Sequence, residues 1–205
     1  MRFPTLNIAS SAPASLKVSN HQDAVTIPPN RYIIFSAIAV LGCAADLATK
    51  HWVFQWRGMP GQSGPWWLWQ GYIGIETATN EGALFGMGAG FGWGFAILSV
   101  VAAVGILLWL FRFDAAQDLS LTIALGAVTG GIGGNLYDRL GLWQNPGVPG
   151  QWHNSVRDWI LFRYHEYTWP NFNIADSLLV CGALLLLWHG FRHPKPEKPG
   201  DQTTE

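Results

Sequence analysis

Asp158 and Asp176 lie just before and at the start of the last long apolar run of a chain that otherwise looks built for a bilayer. Carboxylates at or near a hydrocarbon layer are costly and need a partner or a task. Two close together cannot both ionise, so one keeps its proton while the other stays a carboxylate. A pair in that state can hydrolyse an amide: the anion draws a proton from water and the acid donates one to the carbonyl oxygen. Each acid also has a plainer account. Asn173 and Asp176 have N-cap and N3 spacing, where a helix dipole favours an acid. Asp158 follows Arg157, with which an exposed loop acid would pair.

Further polar residues recur beside the apolar runs. Asp46 and Lys50 are four apart and share a helix face near the end of the first run. A catalytic pair and an ion pair reaching for the interface fit that spacing equally well. Asn135, Asp138 and Arg139 close the third run, with Asn135 and Arg139 on one face, and suggest a hydrogen-bonded frame around a site. Gly126, Gly130 and Gly134 make a small-xxx-small stripe for close helix packing. No strand precedes the stripe and no phosphate-binding lysine follows it, which excludes a nucleotide loop. Asn80–Gly86 is a polar-to-apolar turn with two glycines. Val40-Leu41-Gly42-Cys43 looks like a lipidation box, but the apolar run continues past Cys43, so Cys43 reads as a packing residue.

The elements that must position these residues follow from composition. Of 205 residues, 12% are charged and 49% hydrophobic, where a soluble domain has about 25% charged. The net charge of −1 offers no footprint for nucleic acid. Four stretches approach the ~20 residues of a membrane span: 31–52, 91–111, 119–136 and 174–188. The expected fold is an α-helical polytopic membrane protein, four transmembrane helices with a small extracytoplasmic β-containing element. That element is placed at Ile73–Thr79, which alternates apolar and polar residues. Residues 1–30 and 193–205 read as disordered cytoplasmic tails around a 31–192 membrane domain, and 141–155 reads as a turn-rich loop. Seven Lys and Arg fall in the tails and the short middle loop, against five in the two long loops and their helix ends. The excess places both termini in the cytoplasm, and nine tryptophans on or near the long loops form an aromatic belt on the outer face.

Taken in order, these pieces resemble the lipoprotein signal peptidase (signal peptidase II) family, whose blocks are D-x-x-T-K, N-x-G-x-x-F, G-N-x-x-D-R, V-x-D and F-N-x-A-D. The chain reads Asp46-Leu47-Ala48-Thr49-Lys50, Asn80-Glu81-Gly82-Ala83-Leu84-Phe85, Gly134-Asn135-Leu136-Tyr137-Asp138-Arg139, Val156-Arg157-Asp158 and Phe172-Asn173-Ile174-Ala175-Asp176. The resemblance implies an aspartic endopeptidase of the bacterial inner membrane. Such an enzyme removes the signal peptide from diacylglyceryl-modified prolipoproteins, cutting just before the lipidated cysteine. It implies Asp158 and Asp176 as the catalytic pair, with Asp46, Lys50, Asn80, Gly82, Asn135, Arg139 and Asn173 supporting them or touching substrate. The implied partners are prolipoproteins and membrane lipid, for a monomer with its active site near the outer face. No cofactor or metal is expected, since His51, His153, His165 and His193 are scattered. The chain departs from the pattern at Arg157, often apolar, at Trp159, where Phe or Tyr is common, and in a longer 141–155 stretch. Two other readings compete: a proton-coupled transporter using the acids as a relay, and an inactive relative that only binds lipoproteins.

Overall fold

The computed structural model describes residues 26–82, 88, 90–143, 152 and 154–192. Both terminal tails up to residue 25 and from residue 193 lie outside the described residues. So do Ala83, Leu84 and Phe85 and most of the turn-rich 141–155 stretch.

Four helices form the body: α1 Asn30–Arg57, α2 Gly92–Leu107, α3 Leu119–Arg139 and α4 Ile174–Arg192. A π-helical turn, Leu108–Arg112, extends α2. All four are long and apolar enough to cross a membrane. They run further than the apolar runs alone, because each continues to a basic residue: Arg57, Arg112, Arg139 and Arg192. A cation in the last turn complements the helix dipole and marks a natural stop. At 28 residues, α1 is about 42 Å long, more than the roughly 30 Å hydrocarbon layer. Its last turns, which carry Lys50, extend toward the loops. Gly58, at φ 79°, closes the helix by donating its N–H to the Phe54 carbonyl.

Helix α3 is the central one. Half of its most apolar stretch is buried, against 11% for each of the others. Its glycine stripe faces α1, as the spacing predicts: a Cβ on Gly130 would stand 3.0 Å from the Ala39 carbonyl oxygen, and one on Gly134 would run into the Asp46 carboxylate. The start of α3 is capped by Asp118, whose carboxylate accepts the Leu121 N–H at 3.0 Å. Outward-facing aliphatics such as Val40, Leu41, Ile97, Leu98, Val101 and Leu184 are exposed, as lipid-facing positions are when every backbone group is satisfied within the helix.

At one end of the bundle lies an antiparallel sheet in the order β1-β2-β3-β4. The strands are β1 Trp66–Trp69, β2 Ile73–Asn80, β3 Val156–Tyr164 and β4 Tyr167–Phe172. The expected element at Ile73–Thr79 is β2. The hairpin of β3 and β4 enlarges that element beyond what the alternation pattern suggested. It also takes Asp158 out of a loop and into a strand, opposite Ala78 of β2. Trp52 stacks on Trp56 at this end, with ring centroids 5.3 Å apart, and Trp66 meets Trp56 edge-on at 5.4 Å. Cys43 and Cys181 are unpaired, and Cys43 packs beside Gly133.

Candidate active site

Helix α4 begins with a reciprocal cap. The Asn173 side-chain oxygen accepts the Asp176 N–H at 2.9 Å, and Asp176 Oδ2 accepts the Asn173 N–H at 3.2 Å. Capping is therefore real, but it uses only one oxygen of Asp176. The other, Oδ1, accepts the Asn135 amide at 2.8 Å. The Asn173 amide in turn donates to Asp158 Oδ1 at 2.7 Å, so one fully buried asparagine joins both aspartates. Strand β3 delivers Asp158 to this point at 2% exposure. Burial, and then the charge of Asp176, push the Asp158 carboxyl up to about 8, while the Asn173 hydrogen bond opposes the rise.

Behind the aspartates lies a buried ionic network. Lys50 Nζ is 2.7 Å from Asp46, 3.2 Å from Asp138 and 2.9 Å from the Asn135 side-chain oxygen. Asp46 also accepts the Ala175 N–H at 2.8 Å, which ties α1 to the first turn of α4. Asp46, Lys50 and Asp138 are fully buried. The interface-seeking ion pair is thus corrected to a buried one with a third member. Arg157 does not pair with Asp158 as a loop neighbour would. Its guanidinium engages Asp138 at 2.7 and 3.1 Å.

One turn further along α3, Arg139 makes a second frame. It donates to the carbonyls of Asn80 at 3.2 Å, Asn154 at 3.4 Å and Gly82, and its guanidinium lies over the Phe95 ring. Asn80 accepts the Gly82 N–H at 3.0 Å, so Arg139 holds the turn leaving β2 by its backbone. Six of the expected residues therefore form one polar chain: Asp46, Lys50, Asn135, Asn173, Asp158 and Asp176. Asn80, Gly82 and Arg139 brace the loop beside it. Sequence reasoning missed the Arg157–Asp138 pair and Asn154, whose amide donates to the Arg139 carbonyl at 2.7 Å. The one signal for the first was an Arg at a position where an apolar residue is common.

Residues 38–192 match the family model described as signal peptidase (SPase) II. The chain belongs to that family. It is 51% identical over 192 residues to the lipoprotein signal peptidase of Rhodopirellula baltica, covering 93% of this chain and 85% of that one. The lipoprotein signal peptidase of Geobacillus thermodenitrificans is 32% identical over 168 residues, covering 82% of this chain and 96% of the relative. A solved bacterial membrane enzyme superposes with a TM-score of 0.67 at 23% identity, covering 82% of this chain and 93% of its own. That likeness supports the fold of four helices and a sheet. As a member of the signal peptidase II family, the chain is a multi-pass membrane protease.

Proposed function

We propose that this protein removes the signal peptide from diacylglyceryl-modified prolipoproteins as an aspartic endopeptidase, with Asp158 and Asp176 as its catalytic dyad. The observation that carries the reading is the single buried Asn173 linking two carboxylates delivered by β3 and α4, one of them pushed up to about 8. In this mechanism Asp158 holds the proton at rest. Asp176 receives hydrogen bonds from the Asn135 amide and the Asn173 N–H at the head of α4, so it carries the negative charge. Asp176 takes a proton from a water, whose oxygen attacks the scissile carbonyl carbon as Asp158 donates its proton to the carbonyl oxygen. The tetrahedral diol then collapses. Asp176 gives its proton to the leaving nitrogen as the C–N bond breaks, and Asp158 recovers one from the hydroxyl. Asp46, Lys50, Asn135 and Asn173 hold the dyad, while Asn80, Gly82 and Arg139 shape the substrate side.

We place the enzyme in the bacterial inner membrane as a monomer, with both termini cytoplasmic and the dyad at the outer face. The Lys and Arg excess in the tails and middle loop supports that orientation, as do the clustered tryptophans at the sheet end. The competing proton relay has no carrier. Residues 32–45, 92–111, 119–137 and 177–188 of the four helices contain no Asp, Glu, Lys, Arg or His.

The test is mass spectrometry of a lipidated prolipoprotein incubated with purified enzyme, Asp158→Asn and Asp176→Asn. The wild type should release the signal peptide at the residue before the lipidated cysteine, and each variant should be inactive while folded. Cleavage by either variant would overturn the dyad.

A further inference from the structure

We infer that Arg157 is a positioning residue for the dyad: it holds Asp138 so that Lys50 is left to orient Asn135 against Asp176. The inference rests on the aspartic reading above and extends it to a side chain that contacts neither aspartate through its guanidinium.

The starting point is charge. Lys50 faces two carboxylates, Asp46 at 2.7 Å and Asp138 at 3.2 Å, and all three are fully buried. One cation against two buried anions leaves a charge unmatched, which is strongly unfavourable away from water. Arg157, 5% exposed, supplies the second cation and makes the set of four neutral. It grips Asp138 from two directions. Nε and Nη2 donate to Oδ1 at 3.1 and 2.7 Å, and the Arg157 backbone N–H donates to Oδ2 at 3.0 Å. The guanidinium also packs against two neighbouring rings, 5.1 Å from the Trp143 centroid and 5.9 Å from that of Phe54, themselves 6.1 Å apart. A planar fork bonded on one side and packed on rings on another has little freedom to turn.

The consequence reaches the dyad through donor and acceptor rules. A lysine ammonium has three protons and accepts nothing. Lys50 donates to the Asn135 side-chain oxygen at 2.9 Å and holds Asp46 and Asp138 as ion pairs. Asn135 must therefore turn its oxygen to Lys50, which aims its amide at Asp176 Oδ1 at 2.8 Å. With Asp138 fixed by Arg157, Lys50 can serve Asn135. With Asp138 released, an unmatched anion draws the ammonium away, and the amide that steadies Asp176 loses its orientation. Arg157 also adjoins Asp158 in the chain, and its carbonyl accepts the Asn173 amide at 3.3 Å.

The experiment measures kcat, KM and pH dependence on a lipidated prolipoprotein, using the full chain in detergent. Arg157→Met should lower kcat by on the order of 10- to 100-fold, the cost of a misplaced catalytic group, with KM little changed. The charged groups facing the dyad are Asp46 and Lys50 from α1, Asp138 and Arg139 from α3, and Arg157 beside Asp158. Loss of one positive charge from that set should move the alkaline limb of the profile upward, a change that a merely structural role would not produce. Arg157→Lys, a charge without the fork, should fall between wild type and Arg157→Met, and carries the same test if Arg157→Met does not fold. Adding Asp138→Asn to Arg157→Met should recover part of kcat, because the unmatched charge is gone. Wild-type kcat and pH profile in the single variants, a loss explained by folded fraction alone, or no recovery in the double variant would overturn the inference. Asp158→Asn and Asp176→Asn run alongside separate the two claims. If both are inactive while Arg157→Met behaves as wild type, only the positioning role falls; if either cleaves, the dyad itself falls.

Discussion

Replacing Asp158 with Asn should destroy activity and make the protein more stable. In the fold Asp158 is 2% exposed and its carboxyl is raised from the ordinary 3.8 to about 8. In the unfolded chain it titrates near ~3.9. Between those two values folding must take up a proton, so the contribution of this group to stability falls as pH rises from about 4 to about 8 and is level beyond. At about 1.4 kcal/mol per pH unit, keeping Asp158 neutral at pH 7 costs on the order of 4 kcal/mol. An Asn is neutral at every pH, and its side-chain oxygen still accepts the Asn173 amide that Asp158 accepts at 2.7 Å. A gain of about 2–4 kcal/mol at pH 7 corresponds to a rise in Tm of roughly 4–15 °C for a chain of this length. The assay is thermal unfolding of both proteins in one detergent across pH 4 to 9. The gap should be near zero at pH 4, widen steadily and level off above about pH 8. An Asn variant no more stable than wild type at pH 7, or a gap independent of pH, would refute the reasoning that burial and Asp176 hold Asp158 protonated.

Activity should follow the same proton: kcat/KM should decline as pH rises through about 8, where Asp158 loses its ability to donate to the carbonyl, as measured by initial rates on lipidated substrate. Lys50→Ala strands Asp46 as a buried anion, while Asp138 keeps Arg157, and should cost roughly 3–5 kcal/mol, read as a lowered Tm in detergent; lost activity at unchanged Tm would place Lys50 on the substrate instead. A prolipoprotein lacking its diacylglycerol should be cut poorly, since each acyl CH₂ held in the bilayer contributes about 0.8 kcal/mol to binding, and equal kcat/KM with and without the lipid would contradict this.

Much of the site was legible because its contacts obey short-range spacing. Asp46 and Lys50 are four apart on one helix, and Asn173 and Asp176 have capping-box spacing, so each pair could be read locally. The four spans were legible from apolar length alone, and the Gly130–Gly134 face from the need for backbones to approach. The hairpin of β3 and β4 was not. Val156, Arg157 and Asp158 are all buried, so the strand lacks the in-out alternation that betrays one. Its turn uses His165 at φ 54° and Glu166 in place of the Asn-Gly that usually signals a two-residue loop. Asp138 and Arg157 belong to different elements, and their pairing obeys no period, so only the fold could reveal it. The placement of Asp158 beside Asp176 came from the resemblance of the blocks, not from any spacing between the two residues.

The order of the strands also settles how a polypeptide can be gripped at this end of the molecule. The two outer strands are β1 and β4. Strand β1 is four residues long and its register breaks between Trp67 and Trp69. Strand β4 carries Pro170, which removes one donor from its free ladder. Neither offers the long, regular row of N–H and C=O groups onto which another chain could add itself as a further strand. Among the described residues, both edges therefore disfavour continuous strand addition by a second copy or by another extended chain. Under the proposed function, recognition would then rest on the lipid and the residues around the cut rather than on extended backbone alone.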